Sequence, residues 1–371
     1  MKGAGMNGGA RSSHKRTRFE AKPHESTLLH DEVAALVEKI APNQNKDLVT
    51  QLFNVVVNFA SADLDRLDLK IATGALTEMH QAFTTFQPWA GRRKLTIFGS
   101  ARTPQGHPDY LATVAIAQAM RELGWMIITG AGPGIMAAGI EGAGRDNSFG
   151  VNIKLPFEQR PNLFIEQDPK LVEMKYFFTR KLIFTRESQA FLVLPGGFGT
   201  MDEAFELLTL MQTGKSQPAP IVLYSSAENN FWKEWEGFMR ERLFEGGYVS
   251  GEDDSLFLIT SDQEAAIAEF DSFYSNFDSL RWVGDLLVLR VRKGPTQEEL
   301  DLLNQRYGRI CASGTIEGIP ITGAEKGDRD GLELERVALR FDRSSHGALR
   351  RLIDDLNNLS SLPLGESIQL G

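Results

Sequence analysis

The sequence is poor in the residues that usually announce a site. It holds one cysteine, Cys311, which excludes a disulfide framework and any metal centre built on several thiolates. Its six histidines (14, 24, 30, 80, 107 and 346) never stand four apart or beside a cysteine pair. Zinc therefore has no ligand cluster, and no metal site is expected. No apolar run approaches the roughly 18 residues that a membrane span needs. The first residues are rich in Gly, Arg and Ser and lack the apolar stretch of a secretory signal, so a cytoplasmic protein with no membrane partner is expected. Positive charge is also scarce, with 40 Lys and Arg against 49 Asp and Glu and a net charge of −9. Six of the basic residues (Lys2, Arg11, Lys15, Arg16, Arg18, Lys22) fall in residues 1–24 against Glu20 alone, which leaves 34 against 48 in the rest. So acidic a body argues against a basic stripe for duplex nucleic acid; a small phosphate ligand held by local dipoles stays open.

What is present is ordinary globular material: 371 residues, 42% apolar and 24% charged, enough for two or three domains at roughly 150 residues each. Residues 1–27 read as a disordered basic arm. Residues 28–91 read as a helical extension, with stripes at Val33, Leu36 and Ile40, at Leu48, Leu52, Val55 and Phe59, and at Leu67, Ile71 and Leu76. Gln87-Pro88-Trp89-Ala90-Gly91 breaks that pattern.

From 92 to 278 short apolar runs alternate with helical patterns. Leu95–Phe98, Trp125–Thr129, Gly150–Leu155, Leu163–Glu166, Ala190–Leu194, Ile221–Tyr224 and Phe257–Thr260 read as strands. Tyr110–Leu123, Ile135–Gly144, Leu171–Glu187, Met201–Thr213, Phe231–Leu243 and Glu264–Tyr274 read as helices. This is the pattern of an α/β, Rossmann-like, doubly wound parallel sheet, whose ligands bind beyond the carboxyl ends of the strands. Residues 279–371 add the strands Leu286–Val291 and Leu332–Phe341 and the helices Gln297–Tyr307 and Gly347–Leu356. They form a small α+β unit, ferredoxin-like in its order, that serves packing, oligomerisation or a regulatory ligand.

Glycine gathers after three of the strands: Gly99-Ser100-Ala101-Arg102, Thr129-Gly130-Ala131-Gly132-Pro133-Gly134 and Pro195-Gly196-Gly197-Phe198-Gly199-Thr200. Each turn precedes a helix, whose first N–H groups and dipole favour an anion. None continues into the Lys-Ser/Thr of a Walker loop, and the second has Gly-x-Gly-x-Gly spacing rather than the dinucleotide fingerprint. After the third turn come Met201-Asp202-Glu203. Thr200 and Glu203 have the spacing of a helix capping box, which is the plain alternative to a catalytic carboxylate. Upstream, Phe177, Arg180 and Phe184 share one side of a helix. A guanidinium there either meets an anion or lays its stem over the stripe and reaches water.

The stretch Met174-Lys175-Tyr176-Phe177-Phe178-Thr179-Arg180-Lys181, followed by Pro195-Gly196-Gly197-Phe198-Gly199-Thr200-Met201-Asp202-Glu203, resembles the LOG ("Lonely guy") family. The likeness extends over about residues 94–275, including Asn152-Ile153-Lys154-Leu155-Pro156, and omits the helical extension and the C-terminal unit. Members of this family, also labelled lysine decarboxylase-like, are Rossmann-like phosphoribohydrolases. They cleave the N-glycosidic bond of a cytokinin riboside 5′-monophosphate, AMP or another nucleoside 5′-monophosphate to free base and ribose 5-phosphate. The resemblance implies that Arg180 and Glu203 are catalytic. It assigns substrate binding to Gly99, Ser100, Gly130, Gly132, Gly134, Met174, Lys181, Gly196, Gly197, Gly199 and Thr200, with no cofactor. It also implies a homodimer or a multiple of one. Ala131, Ala137 and Gly139 depart from the second-turn pattern of many bacterial relatives, which carry Gly, Glu and Asn there. In this reading Arg180 positions Glu203, while Lys181, about 100° further round the helix, only supports. The alternative from another class is a non-catalytic nucleotide-binding sensor or carrier coupled to oligomer assembly.

Overall fold

The structure, a computed structural model, describes residues 23–40, 45–155, 161–328 and 331–362. The basic arm expected at 1–27 lies outside the described residues up to position 22. The chain divides into two compact units, one ending at Leu76 and one starting at Thr77.

The first unit holds α1 (Pro23–Ile40), α2 (Lys46–Ser61) and the start of α3 (Arg66–Phe86). Val33 and Val37 of α1 are buried, and Lys46 of α2 pairs with Glu38 at 2.6 Å. Asp65 caps α3, its Oδ1 accepting from the N–H groups of Leu67 (2.6 Å) and Asp68 (2.9 Å).

The second unit takes the rest of α3 and then alternates: β1 (Lys94–Phe98), α4 (Pro108–Glu122), β2 (Met126–Thr129), α5 (Ile135–Ala143), β3 (Ser148–Ile153), β4 (Leu171–Met174), α6 (Phe177–Glu187), β5 (Ala190–Val193) and α7 (Phe198–Gln212). It continues with β6 (Ile221–Tyr224), α8 (Phe231–Phe238), β7 (Leu258–Thr260) and α9 (Gln263–Ser272). The seven strands form one sheet in the order β4-β3-β2-β1-β5-β6-β7, every pair parallel. Strand residues alternate between two cores. Leu95, Ile97, Ile127, Leu192 and Val222 enter one, and Phe98, Met126, Ile128, Phe191 and Val193 enter the other. That two-residue period with apolar residues on both faces is what a sheet covered by helices on each side requires. The chain leaves β1 in one direction and returns at β5 on its other side. The loops after β1 and β5 thus diverge at the switch point, where such sheets open a crevice.

One strand lies where sequence reading placed a helix. Leu171–Met174 is β4, paired with β3, and the helix starts only at Phe177. Val172 and Met174 are buried while Glu173 between them is exposed, a strand's alternation rather than a helix's stripe. Leu163–Glu166, expected as a strand, is a turn, closed by the Ile165 and Glu166 N–H groups on the Asn162 carbonyl at 3.1 Å.

A second, antiparallel sheet follows, with β8 (Phe277–Val283), β9 (Leu286–Val291), α10 (Gln297–Tyr307), β10 (Cys311–Ile319), α11 (Gly323–Asp328), β11 (Glu335–Phe341) and α12 (His346–Asn357) in the strand order β10-β11-β9-β8. Apart from the six-residue α11, the run from β9 to α12 has the β-α-β-β-α order of a ferredoxin-like unit, and β8 supplies the last strand from the start of the segment. β8 and β10 carry no clear apolar run, and β10 pairs with shifts of register. Leu287, Leu289, Val337, Leu339 and Leu352 of this unit share one continuous core with Leu95, Ile97 and Ile116 of the parallel sheet.

Candidate active site

The three glycine turns leave the carboxyl ends of β2, β1 and β5, which are neighbours in the sheet, and Ser100 stitches them together. Its N–H donates to the Pro195 carbonyl in the third turn, and its carbonyl accepts from the Ile135 N–H beyond the second, both at 3.1 Å. Gly134 has φ +65°, and a Cβ there would lie 2.3 Å from the Ser100 carbonyl oxygen, so only glycine closes this corner. Gly130 leaves room for a side chain instead, since a Cβ there would lie 2.3 Å from Arg180 Nη2 and displace the guanidinium.

The second turn is therefore a wall: Gly130, Gly132 and Gly134 are buried. Asn162, which sequence reasoning missed, braces it by donating its Nδ2 to the Gly132 carbonyl at 2.9 Å and its N–H to the Ala131 carbonyl at 2.8 Å. Ala131 itself adopts φ 59°, a conformation in which its methyl is strained. Gly139 faces the sheet, where a Cβ would lie 3.1 Å from Ile97 and Thr129, so the departure there bears on helix–sheet packing.

The third turn is the open one. Gly197, Phe198 and Gly199 are exposed, and a Cβ at Gly197 or Gly199 would meet nothing within 4 Å. Gly197 is the N-cap of α7, and no side chain caps that helix. The Thr200 and Met201 N–H groups turn back to the Gly197 carbonyl at 3.0 and 3.1 Å. Among the described residues nothing accepts from the N–H groups of Gly197, Phe198 or Gly199. Glycine at 197 and 199 is not required by any internal contact; it leaves a bare helix N-terminus facing outward.

The capping-box alternative for Thr200 and Glu203 does not hold. Glu203 lies in the first turns of α7, buried, and its Oε2 is 3.2 Å from Lys181 Nζ of α6. Lys181 Nζ also meets Asp202 at 3.0 Å and Glu206 at 2.5 Å. Burial works against the Lys181 charge, but the three carboxylates outweigh it and hold its pKa above the ordinary lysine value. For Glu203 burial dominates and pushes the carboxyl above the usual range, with Lys181 and then Arg180 pulling it part of the way back. Arg180 stands apart from this cluster. Its Nε donates to the Val151 carbonyl at 2.9 Å, and its guanidinium lies over the Phe184 ring at 5.0 Å. Its pKa is lowered by burial, against the pull of Glu203. Among the described residues no partner takes its two terminal nitrogens.

Two expectations about α6 change here. Lys181, not Arg180, is the direct partner of Glu203. The aromatic stripe also splits, with Phe184 in the core and Phe177 exposed. Met174, expected near substrate, is wholly buried among Phe149, Val172 and Ile183; its side chain serves the core because β4, not a helix, carries it. Gly99, Ser100, Gly196, Gly197, Gly199, Thr200, Lys181, Arg180 and Glu203 do gather at one edge of the sheet.

Residues 134–270 match the family model described as "Possible lysine decarboxylase". Over 150 residues the chain is 27% identical to the cytokinin riboside 5′-monophosphate phosphoribohydrolase of Mycobacterium marinum, spanning 39% of this chain and 76% of the relative. Both matches support a LOG-family domain in this part of the chain. The relative's name is that of a hydrolase. Among solved structures, the molybdenum cofactor binding protein of Rippkaea orientalis aligns at 18% identity and TM-score 0.34, over 47% of this chain and 93% of its own. DNA processing protein A of Streptococcus pneumoniae aligns at 9% identity and TM-score 0.31, over 67% and 92%.

Proposed function

We propose that this LOG-family chain hydrolyses a nucleoside 5′-monophosphate, AMP or a cytokinin riboside 5′-monophosphate, to free base and ribose 5-phosphate. The observation that carries the reading is the state of Glu203. It is a buried carboxylate, raised in pKa, spent on no helix cap, and one turn away from a bare helix N-terminus. In the proposed reaction the 5′-phosphate lies on the N–H groups of Gly197, Phe198 and Gly199, with the terminal nitrogens of Arg180 as a second donor set. Gly99, Ser100 and the buried Gly130–Gly134 wall shape the other side of the crevice.

As the bond from the base nitrogen to C1′ breaks, its electron pair leaves with the base and positive charge grows on the ribose. An anionic Glu203 stabilises that charge more in the transition state than in the ground state. It also orients the water whose oxygen bonds to C1′ and takes the water's proton, which then passes by way of solvent to the departing base. Lys181 keeps the carboxylate in place and lowers its pKa toward the working range. The same lysine is a poor candidate for imine chemistry, because three carboxylates hold it protonated, whereas an imine-forming amine needs its pKa depressed. The test is ribose 5-phosphate release from a panel of nucleoside monophosphates by the wild type and by Glu203→Ala. The variant should lose on the order of 100- to 1,000-fold in turnover and still bind AMP; turnover within a few-fold of wild type would reduce Glu203 to a structural group. Binding of AMP by the wild type without any release would favour the sensor or carrier.

The site also bears on assembly. Phe177, Phe178 and Leu182 on α6 and Phe198 and Phe205 on α7 leave a large part of their side chains exposed beside the crevice, with Phe198 97% exposed. In this reading a second copy of the chain covers them. Light scattering at micromolar concentration should give the mass of a dimer or a multiple of one, and a monomer would rule the covering copy out.

A further inference from the structure

The helix that carries Arg180 and Lys181 is fastened by a residue far outside the matched region. Glu78, on the C-terminal half of α3, is buried. Its Oε1 accepts from the Lys175 N–H at 2.9 Å, and its Oε2 accepts from the Tyr176 N–H at 3.4 Å and the Thr179 hydroxyl at 2.6 Å. Tyr176 is the N-cap of α6 and offers no side-chain cap of its own. Glu78 thus fastens the two residues that lead into α6 and the hydroxyl of its first turn, with an anion where the helix dipole favours one. Ala82 and Phe86, one and two turns further along α3, enter the same core as Ile183 and Phe184 of α6. Phe86 also stacks on Phe149 of β3 at 4.2 Å. The α3 face that bears Glu78 is therefore itself anchored.

From these contacts we infer that Glu78 is a positioning residue for the reaction proposed above, fixing the start of α6 and through it Arg180 and Lys181. Thr179, whose hydroxyl bridges Glu78 and the Tyr176 carbonyl (2.9 Å), directly precedes that pair. The inference rests on the hydrolase reading for its kinetic consequence only. A shift at the start of α6 moves Lys181 against Glu203 and leaves the α7 N-terminus as it was. Arg180, the second donor set proposed for the phosphate, moves with it, so losing Glu78 should lower kcat by a larger factor than it raises KM. A group that merely stabilised the fold would change the melting temperature and neither constant.

The experiment compares wild type and Glu78→Gln, which keeps the size but faces an amide N–H₂ toward donors. Two readouts are used, steady-state kinetics with AMP and amide hydrogen exchange of the whole chain. The expected result is a fall in kcat of roughly 10- to 100-fold with KM within a few-fold. Amides 175–181 should exchange roughly five- to tenfold faster, as for one lost hydrogen bond, with those of α7 unchanged. Wild-type kcat in a folded Glu78→Gln protein, or a KM that rises by as large a factor as kcat falls, overturns the inference. Where Glu78→Gln does not fold, Thr179→Val removes one of the three donors and should shift kcat and exchange the same way by less; no shift overturns it equally. If wild type releases no ribose 5-phosphate from any nucleotide, the hydrolase reading fails by itself. The exchange of amides 175–181 then judges the positioning role alone, and wild-type rates in Glu78→Gln reject it.

Discussion

Helices α6 and α7 start at the same edge of one sheet, and their N-termini are treated in opposite ways. At α6 the protein supplies its own anion, the Glu78 carboxylate, which takes the Lys175 and Tyr176 N–H groups and the Thr179 hydroxyl and so closes that end to a second anion. At α7 it supplies none, strips the first positions to Gly197 and Gly199, and leaves three N–H groups without an acceptor among the described residues. Two N-termini of similar dipole therefore have different uses. The closed one holds side chains still; the open one is free to hold an anionic ligand. The side chains follow the same division, because the closed helix presents Arg180 and Lys181 while the open one presents Glu203, drawn to Lys181.

The largest expected effect comes from breaking the closed side's contribution. Arg180→Ala removes the cation whose terminal nitrogens have no partner among the described residues, and turnover should fall on the order of 100- to 1,000-fold. Measured by ribose 5-phosphate release, a loss of only a few-fold would leave Arg180 as a strut on the Val151 carbonyl. The next pair separates glycines kept for packing from glycines kept for a ligand. Gly134→Ala places a methyl at φ +65° against the Ser100 carbonyl and should cost at least about 2 kcal/mol of stability. Gly197→Ala meets no neighbour, so denaturant unfolding should find it at most about 1 kcal/mol less stable than wild type, the cost of alanine at an N-cap. Its methyl would stand where the phosphate is proposed, and KM for AMP should rise. A Gly197→Ala enzyme with unchanged KM would show that the phosphate lies elsewhere.

The smallest effect is one of pH. A base must be ionised, and burial holds the Glu203 carboxyl above the ordinary range. The acid limb of kcat/KM should accordingly lie above the usual carboxylate region. Lys181 pulls that pKa down, so Lys181→Met should move the limb to higher pH. A shift to lower pH, or none, would mean that Lys181 does not act on the titrating group.

Much of the open side was legible in the sequence, because each of its signals is local. Strand, glycine turn and helix follow one another within Ala190–Gln212, and the absence of any side chain at 197 and 199 is itself the feature. The closed side was not legible. Glu78 lies 97 positions before the N–H it accepts from, and nothing around it marks it as the anchor of α6. β4 was hidden because its four residues run straight into the apolar start of α6, and a strand so short shows barely one period of alternation. The contact of Lys181 with Glu203 depends on how α6 and α7 lie against each other, which no spacing along one helix encodes. Helical phase correctly put Lys181 about 100° from Arg180, but that angle carried it toward the carboxylates rather than away from the site. Asn162 was missed for a related reason, since its two bonds to the second turn cross 30 residues of sequence.

The most direct test of the division between the two N-termini is a crystal structure of the protein with ribose 5-phosphate bound. The account predicts phosphate oxygens at about 3 Å from the N–H groups of Gly197, Phe198 and Gly199, with Glu78 still on Lys175 and Tyr176. A phosphate seated at the start of α6, or at Gly99 and Ser100 with the α7 N-terminus empty, would contradict it.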